Sequence, residues 1–281
     1  MSGDKAASQT AVLIAGYRAR ASDGDDRLCH DPWAARLAGD QGEALCRRWD
    51  AHWPAMGLWV ALRTRYIDDC VLAALDGGVD QVVLLGAGLD TRAARLRRNG
   101  VRFFEVDHPA SQADKVARLG RLEGYPEETA TLVPCDFEQD DFVAQLADAG
   151  LDRARRTCFV WEGVVYYLPE DAARSTLTRL SSEFDPESCV IFDYLNENLV
   201  GSNDRLRDED RAMKGIVEEL GEPMRFGIND ATPLMSDCGY RFLQTVSYDE
   251  LALRYTGTYD RSRYFRFQVI ALVSASPRPP W

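Results

Sequence analysis

Two glycines one residue apart, Gly86 and Gly88, follow the apolar run Val82-Val83-Leu84-Leu85 and lead into Leu89-Asp90-Thr91. A strand that turns through Gly-x-Gly into a helix capped by Asp90 or Thr91 leaves bare main chain facing a ligand, with no Cβ in the way. About 20 residues further on, Asp107 ends the next apolar run, Phe103-Phe104-Glu105-Val106. An acid at that place accepts hydrogen bonds from both hydroxyls of a ribose, so the pair predicts an adenosine-containing cofactor. A pyrophosphate would want a third glycine where this chain has Thr91. S-adenosylmethionine carries no phosphate and needs the turn without that glycine, which makes it the better fit.

The elements that must position these residues alternate along the middle of the chain, as in a mostly parallel sheet with helices on both faces. Val82–Leu85, Val101–Val106, Ala130–Val133, Cys158–Trp161 and Cys189–Phe192 read as buried parallel strands because they are short continuous apolar runs. Helices are expected over Thr91–Arg98, Ser111–Leu122, Phe142–Ala149 and Pro169–Phe184, the last opening on Pro169 with Glu170 and Asp171 behind it. Near the carboxyl end, Phe265, Phe267, Val269, Ala271 and Val273 fall on alternate positions, which predicts a strand with unlike faces and Arg241–Tyr248 antiparallel beside it. The first 75 or so residues are helical in pattern, with Leu62, Tyr66, Ile67, Cys70, Val71 and Ala74 on one stripe. Asn196–Gly239, with the charged, helix-prone Arg205–Leu220, stands where α/β enzymes carry substrate-specific insertions.

Composition narrows the classes. Apolar residues at 46% and charged residues at 28% match ordinary globular usage and exclude collagen, coiled coil and disorder. The formal net charge of −12 repels phosphate backbones and anionic surfaces, so neither nucleic acid nor membrane is an expected partner. No apolar run is long enough to span a bilayer, and the first residues lack the apolar stretch of a secretion signal, so a cytoplasmic protein is expected. Seven cysteines form no CxxC pair, and His30, His52 and His108 have no metal-ligand spacing; reduced, buried thiols and no metal site are the expectation.

Leu84-Leu85-Gly86-Ala87-Gly88-Leu89-Asp90-Thr91-Arg92, Phe104-Glu105-Val106-Asp107-His108-Pro109, Pro134-Cys135-Asp136-Phe137 and Trp161-Glu162-Gly163-Val164-Val165-Tyr166-Tyr167-Leu168-Pro169 come in that order, with Arg63-Thr64-Arg65-Tyr66-Ile67-Asp68-Asp69 upstream. Together they resemble the motifs of the leucine carboxyl methyltransferase-like O-methyltransferases. The resemblance runs through residues 10–195 and fades in the stretch that faces substrate. It implies the class I, Rossmann-like methyltransferase fold: a seven-stranded, mostly parallel sheet with one antiparallel strand. One domain would hold a helical N-terminal cap (1–78), a cofactor-binding core (79–195), a substrate-side helical insertion (196–239) and C-terminal strands (240–275). S-adenosyl-L-methionine is the implied cofactor. By the same resemblance Arg63 holds its carboxylate, Gly86, Ala87 and Gly88 lie against its amino-acid end, Asp107 binds the ribose, Asp136 and Phe137 flank the adenine, and Glu162 meets the amino-acid tail. Tyr167, with Arg63, orients the acceptor. Arg65 remains an alternative to Arg63, since either fork can bind a carboxylate bidentately. Leu84 replaces the acid that many methyltransferases carry two residues before the first glycine.

Eukaryotic members of that family methylate a protein's terminal carboxylate, and bacterial members are linked to natural products. An ionised carboxylate needs no general base, whereas a phenol or alcohol does, most simply a histidine. No histidine follows residue 108, which tilts the expected acceptor toward a small-molecule or peptide carboxylate. His30 is the candidate base if the acceptor is a hydroxyl. A nicotinamide oxidoreductase and a non-catalytic sensor of the cofactor are the rival readings, and oligomeric state is not legible.

Overall fold

The computed structural model describes residues 8–23, 28–137, 139–200, 211, 214, 223–258 and 268–281. Five apolar runs become parallel strands: β1 (Gln81–Leu85), β2 (Arg102–Asp107), β3 (Thr131–Pro134), β4 (Thr157–Trp161) and β5 (Cys189–Leu195). Two more, β6 (Phe242–Ser247) and β7 (Gln268–Ser274), complete a sheet ordered β3-β2-β1-β4-β5-β7-β6. Strand β7 runs antiparallel to both neighbours, with Leu195 opposite Gln268 and Ser247 opposite Val269. This is the seven-stranded sheet with one antiparallel strand that the resemblance implied. Strand order reverses between β2 and β4 on either side of β1, so the carboxyl ends of these strands open a crevice for a ligand.

Helices α1 (Gln9–Ala21), α2 (Ala34–Asp50) and α3 (Met56–Asp76) precede the sheet. Between strands run α4 (Arg92–Arg95), α5 (Pro109–Leu119), α6 (Phe142–Asp148) and α7 (Glu170–Ser182), followed by α8 (Glu197–Val200), α9 (Ala231–Asp237) and α10 (Tyr248–Thr256). Alternate strand residues feed two apolar layers. Val82 and Leu84 of β1 pack in one layer with Ile67 and Val71 of α3 and Leu251 of α10. Val83 and Leu85 pack in the other with Leu146 of α6, Leu177 of α7 and Leu234 of α9. Each such side chain contributes about 1.5–3 kcal/mol by leaving water. All seven cysteines are buried free thiols.

Several expectations are corrected. Helix α4 ends at Arg95 rather than Arg98, because the Leu96 side chain turns into the core and the chain then curls back toward β2. Helix α5 starts at Pro109, two residues before Ser111, where the His108 Nδ1 accepts the Ala110 N–H at 3.2 Å. Pro169 caps α7 from outside its first turn. The expected unlike faces of β7 are absent: lying between β5 and β6, it is covered by both layers and only Val269 is less than fully buried there. Phe265, Phe267 and all of Arg205–Leu220 except residues 211 and 214 lie outside the described residues. No helix among the described residues is long and apolar enough to cross a membrane.

Candidate active site

The turn after β1 shows why glycine stands there. Gly86 and Gly88 have φ of 67° and 47°, the left-handed region that costs other residues energy. The Gly86 N–H donates to the Val106 carbonyl at 2.7 Å, hooking the turn onto β2. A Cβ on Gly86 would stand 2.4 Å from Val164 Cγ2, and one on Gly88 would stand 3.1 Å from the Ala11 methyl. The glycines are therefore demanded by backbone angle, in keeping with the tight turn expected from the sequence, and also by neighbouring side chains.

A cavity of about 470 Å³ opens at this turn, and Arg63, Gly86, Ala87, Gly88, Asp107, Asp136, Phe137, Glu162 and Tyr167 all line it. These nine candidates thus meet in one place. Arg65 does not; it is exposed and pairs with Asp69 at 2.9 Å, so of the two arginines only Arg63 faces the cavity. His30 is exposed and away from the lining, which removes the candidate base. His108 lines the cavity beside Asp107.

Asp107 accepts the Gly88 N–H at 2.5 Å on one oxygen and the His108 N–H at 2.6 Å on the other. Burial pushes its carboxyl above the usual range, against these two donors. Each oxygen keeps a lone pair for a further donor. Phe137 sits 6.4 Å from the Trp161 ring and 6.0 Å from Phe142, an apolar face with Asp136 next to it.

The opposite end of the cavity is built from charges, of which the motifs contain Arg63, Asp68, Asp90, Arg92 and Glu162 but not Asp193, Arg95, Asp31 or Arg18. Arg63, 2% exposed, pairs through Nε with Glu162 at 2.8 Å and through Nη1 with Asp193 at 2.7 Å. Arg92 joins Glu162 (2.6 Å), Asp90 (2.5 Å) and Asp68 (2.6 Å). Arg95 holds Asp68 at 2.5 Å, and Arg18 of α1 holds Asp31 at 2.9 Å while donating to the Leu89 carbonyl at 2.5 Å. Burial raises the Glu162 carboxyl, but Arg92 and Arg63 outweigh it and hold it below its ordinary range. For Asp193 burial wins over Arg63, and its carboxyl stands high. Asp193 also accepts the Gly163 N–H at 2.6 Å, fixing the turn after β4. The sequence did carry a signal for Asp193, an acid inside the apolar run Cys189–Leu195, and for Arg92, which closes the first motif.

Leu13, Trp49, Trp53, Met56, Trp59 and Tyr166 supply an apolar wall in which the polar lining is sparse. Tyr167 stands against Tyr166, ring centroids 4.6 Å apart, and the segment 223–228 is joined to the Tyr166 main chain. There the Arg225 N–H donates to the Tyr166 carbonyl at 2.7 Å and the Ile228 N–H to the Leu195 carbonyl at 2.8 Å.

Known proteins resemble this chain in sequence and in shape. A protein of Mycolicibacterium gilvum is 38% identical over 204 residues, which is 66% of this chain and 65% of that protein, so the chain spans a little less than two thirds of its length. A protein of Parafrankia is 33% identical over 85% of this chain and 78% of its own length. Both carry the name "Putative S-adenosyl-L-methionine-dependent methyltransferase". The crystal structure of a DUF574 family protein from Streptomyces avermitilis superimposes with a TM-score of 0.64 at 16% identity, covering 96% of this chain and 98% of the other. A likeness at that identity speaks for the fold. The family model of leucine carboxyl methyltransferase matches residues 11–181, which include the glycine turn, Asp107, Asp136 and the Glu162 to Tyr167 motif. The chain belongs to the leucine carboxyl methyltransferase family.

Proposed function

We propose that this protein is an O-methyltransferase that converts a carboxylate of a small molecule or peptide terminus into its methyl ester. The coarser part follows from the family: it is an S-adenosylmethionine-dependent methyltransferase. What supports the finer reading is a cavity lined by the candidate donor-binding residues and by an apolar wall of Leu13, Trp49, Trp53, Met56 and Trp59, with His108 beside Asp107 as its histidine. The chain's other two histidines, His30 and His52, are exposed and away from the lining.

The residues present fit the methyl donor. Arg63 lines the cavity beside the two ion pairs it already makes, and its guanidinium fork suits a carboxylate there. Asp107 offers its remaining lone pairs to ribose hydroxyls, Phe137 a flat face and Asp136 an acceptor for an adenine amino group. Glu162, Asp90 and their neighbours give the amino-acid end a negative field. When bound, the donor supplies an electrophilic methyl group whose bond to sulfur breaks as the bond to the acceptor oxygen forms, leaving a neutral thioether.

The chain's own work is then placement. Tyr167 and Arg63 orient the acceptor oxygen, the tryptophan wall excludes water, and an already ionised carboxylate asks for no proton transfer. Orientation alone can supply about 7–11 kcal/mol of a barrier. The test is transfer of radiolabelled methyl to a panel of carboxylic acids and matched phenols, followed by mild alkali. Label released as methanol supports ester formation; alkali-stable label means a hydroxyl acceptor, and binding with no transfer to any compound means a sensor.

A further inference from the structure

Resting on S-adenosylmethionine as the methyl donor, we propose that Asp193 is a positioning and selectivity residue: by neutralising Arg63 it leaves the donor end net negative and makes the site prefer the cationic donor over its neutral product. The charged groups form one continuous chain of pairs. Asp193 meets Arg63, Arg63 meets Glu162, Glu162 meets Arg92, and Arg92 meets both Asp90 and Asp68. Asp68 passes to Arg95, and Arg95 reaches Asp31 at 3.9 Å, which Arg18 also holds. Among the described residues, five carboxylates thus share four guanidiniums. The nearby Lys115 and Glu105 cancel each other at 2.6 Å, and Asp107 adds a further negative charge at the other end of the cavity. Arg225, the remaining cation of the lining among the described residues, is exposed to solvent.

An unbalanced negative charge among groups this buried is costly until a cation arrives, and the low local dielectric lengthens its reach. S-adenosylmethionine carries an ammonium, a carboxylate and a sulfonium, net +1; S-adenosylhomocysteine has lost the sulfonium charge and is neutral. Asp193 decides the balance because its side chain is wholly buried, takes no contact with solvent and grips the guanidinium that faces the cavity. Without its charge Arg63 would have only Glu162 to answer, and the donor end would come to neutrality. The site would then lose its reason to distinguish the two ligands.

The experiment is calorimetric binding of S-adenosylmethionine, S-adenosylhomocysteine and sinefungin, whose ammonium replaces the methylsulfonium, to the full chain and to Asp193→Asn. The full chain binds both cationic ligands about tenfold more tightly than S-adenosylhomocysteine, the effect of one charge at a partly screened site. In Asp193→Asn, which keeps an acceptor for Gly163, that ratio falls toward one, and Asp193→Glu restores part of it. A merely structural aspartate would weaken all three ligands alike and leave the ratio standing, which overturns the inference. Should the asparagine variant not fold, the full chain alone decides: equal or tighter binding of S-adenosylhomocysteine refutes it. Failure to bind any of the three ligands would instead remove the methyl-donor reading on which the inference rests.

Discussion

Asp107 is held by two main-chain N–H groups, so it is rigid before any ligand arrives, and a rigid acceptor loses little entropy on accepting ribose hydroxyls. Asp107→Ala is expected to weaken S-adenosylhomocysteine binding by about 1–3 kcal/mol, the usual loss for a charged hydrogen-bond partner; unchanged calorimetric affinity would detach the ribose from this side chain. Tyr167→Phe keeps the ring against Tyr166 and removes only the hydroxyl, so turnover should fall while cofactor affinity holds. Equal loss of both in steady-state and binding assays would move the tyrosine to the donor end. At this scale the sequence was informative where a residue type is bound to a turn or strand tip, as with Gly86, Gly88 and Asp107. It was poorer for ion pairs, because a charge acquires its partner only through packing. Arg63 and Arg65 are indistinguishable as letters, yet one lies under the cavity and the other on the surface with Asp69. Arg18 and Asp31 come from a region read only as helical, and they meet Arg95 and Leu89 from a distant part of the chain.

The β1 turn is where an element's shape and the site's chemistry meet. Gly86→Ala must place a methyl group at positive φ and against Val164 Cγ2, and the pair of penalties should cost about 2–4 kcal/mol of stability. Val164→Ala in the same chain should return the steric part and leave the backbone part, which urea unfolding of the two single variants and the double variant will separate. Gly100→Ala, at φ 81° with open space around it, should show the backbone part alone, about 1 kcal/mol. The strands were legible because an apolar run has few alternatives to a buried parallel strand. Two things were not: the faces of β7, since alternation of residue types cannot reveal that both sides are covered, and the length of α4, which tertiary packing of Leu96 cuts short.

For the whole molecule, the ion network couples folding to acidity. Glu162 is held below its ordinary value of 4.5 in the folded chain, so its ionised form favours the fold above that value, and the contribution is lost as pH falls through the lowered folded value. Glu162→Gln should therefore be less stable than the parent near about pH 6, with the gap closing toward about pH 3, as urea midpoints at several pH values will show. A gap that stays constant with pH would mean that packing, not charge, carries the loss. Saturating S-adenosylhomocysteine at about one hundred times its Kd should raise the melting temperature by roughly 4–5 °C, since ligand linkage adds about 2.7 kcal/mol to the folded state. The two segments that flank the acceptor wall are fastened to the core in different ways. Helices α1 and α3 are bolted to it through Arg18, Arg63 and Asp68, so substituting any of these three breaks a buried ion pair of the cavity's charged end. Residues 223–228 are tied on by the amides of Arg225, Phe226 and Ile228, and an amide is the same whichever side chain it bears. A lineage, or an engineer, seeking a new substrate therefore has its latitude at the cavity-lining positions Pro223, Met224 and Arg225, whereas Phe226 and Ile228 are buried in the core and Gly227 has no room for a side chain.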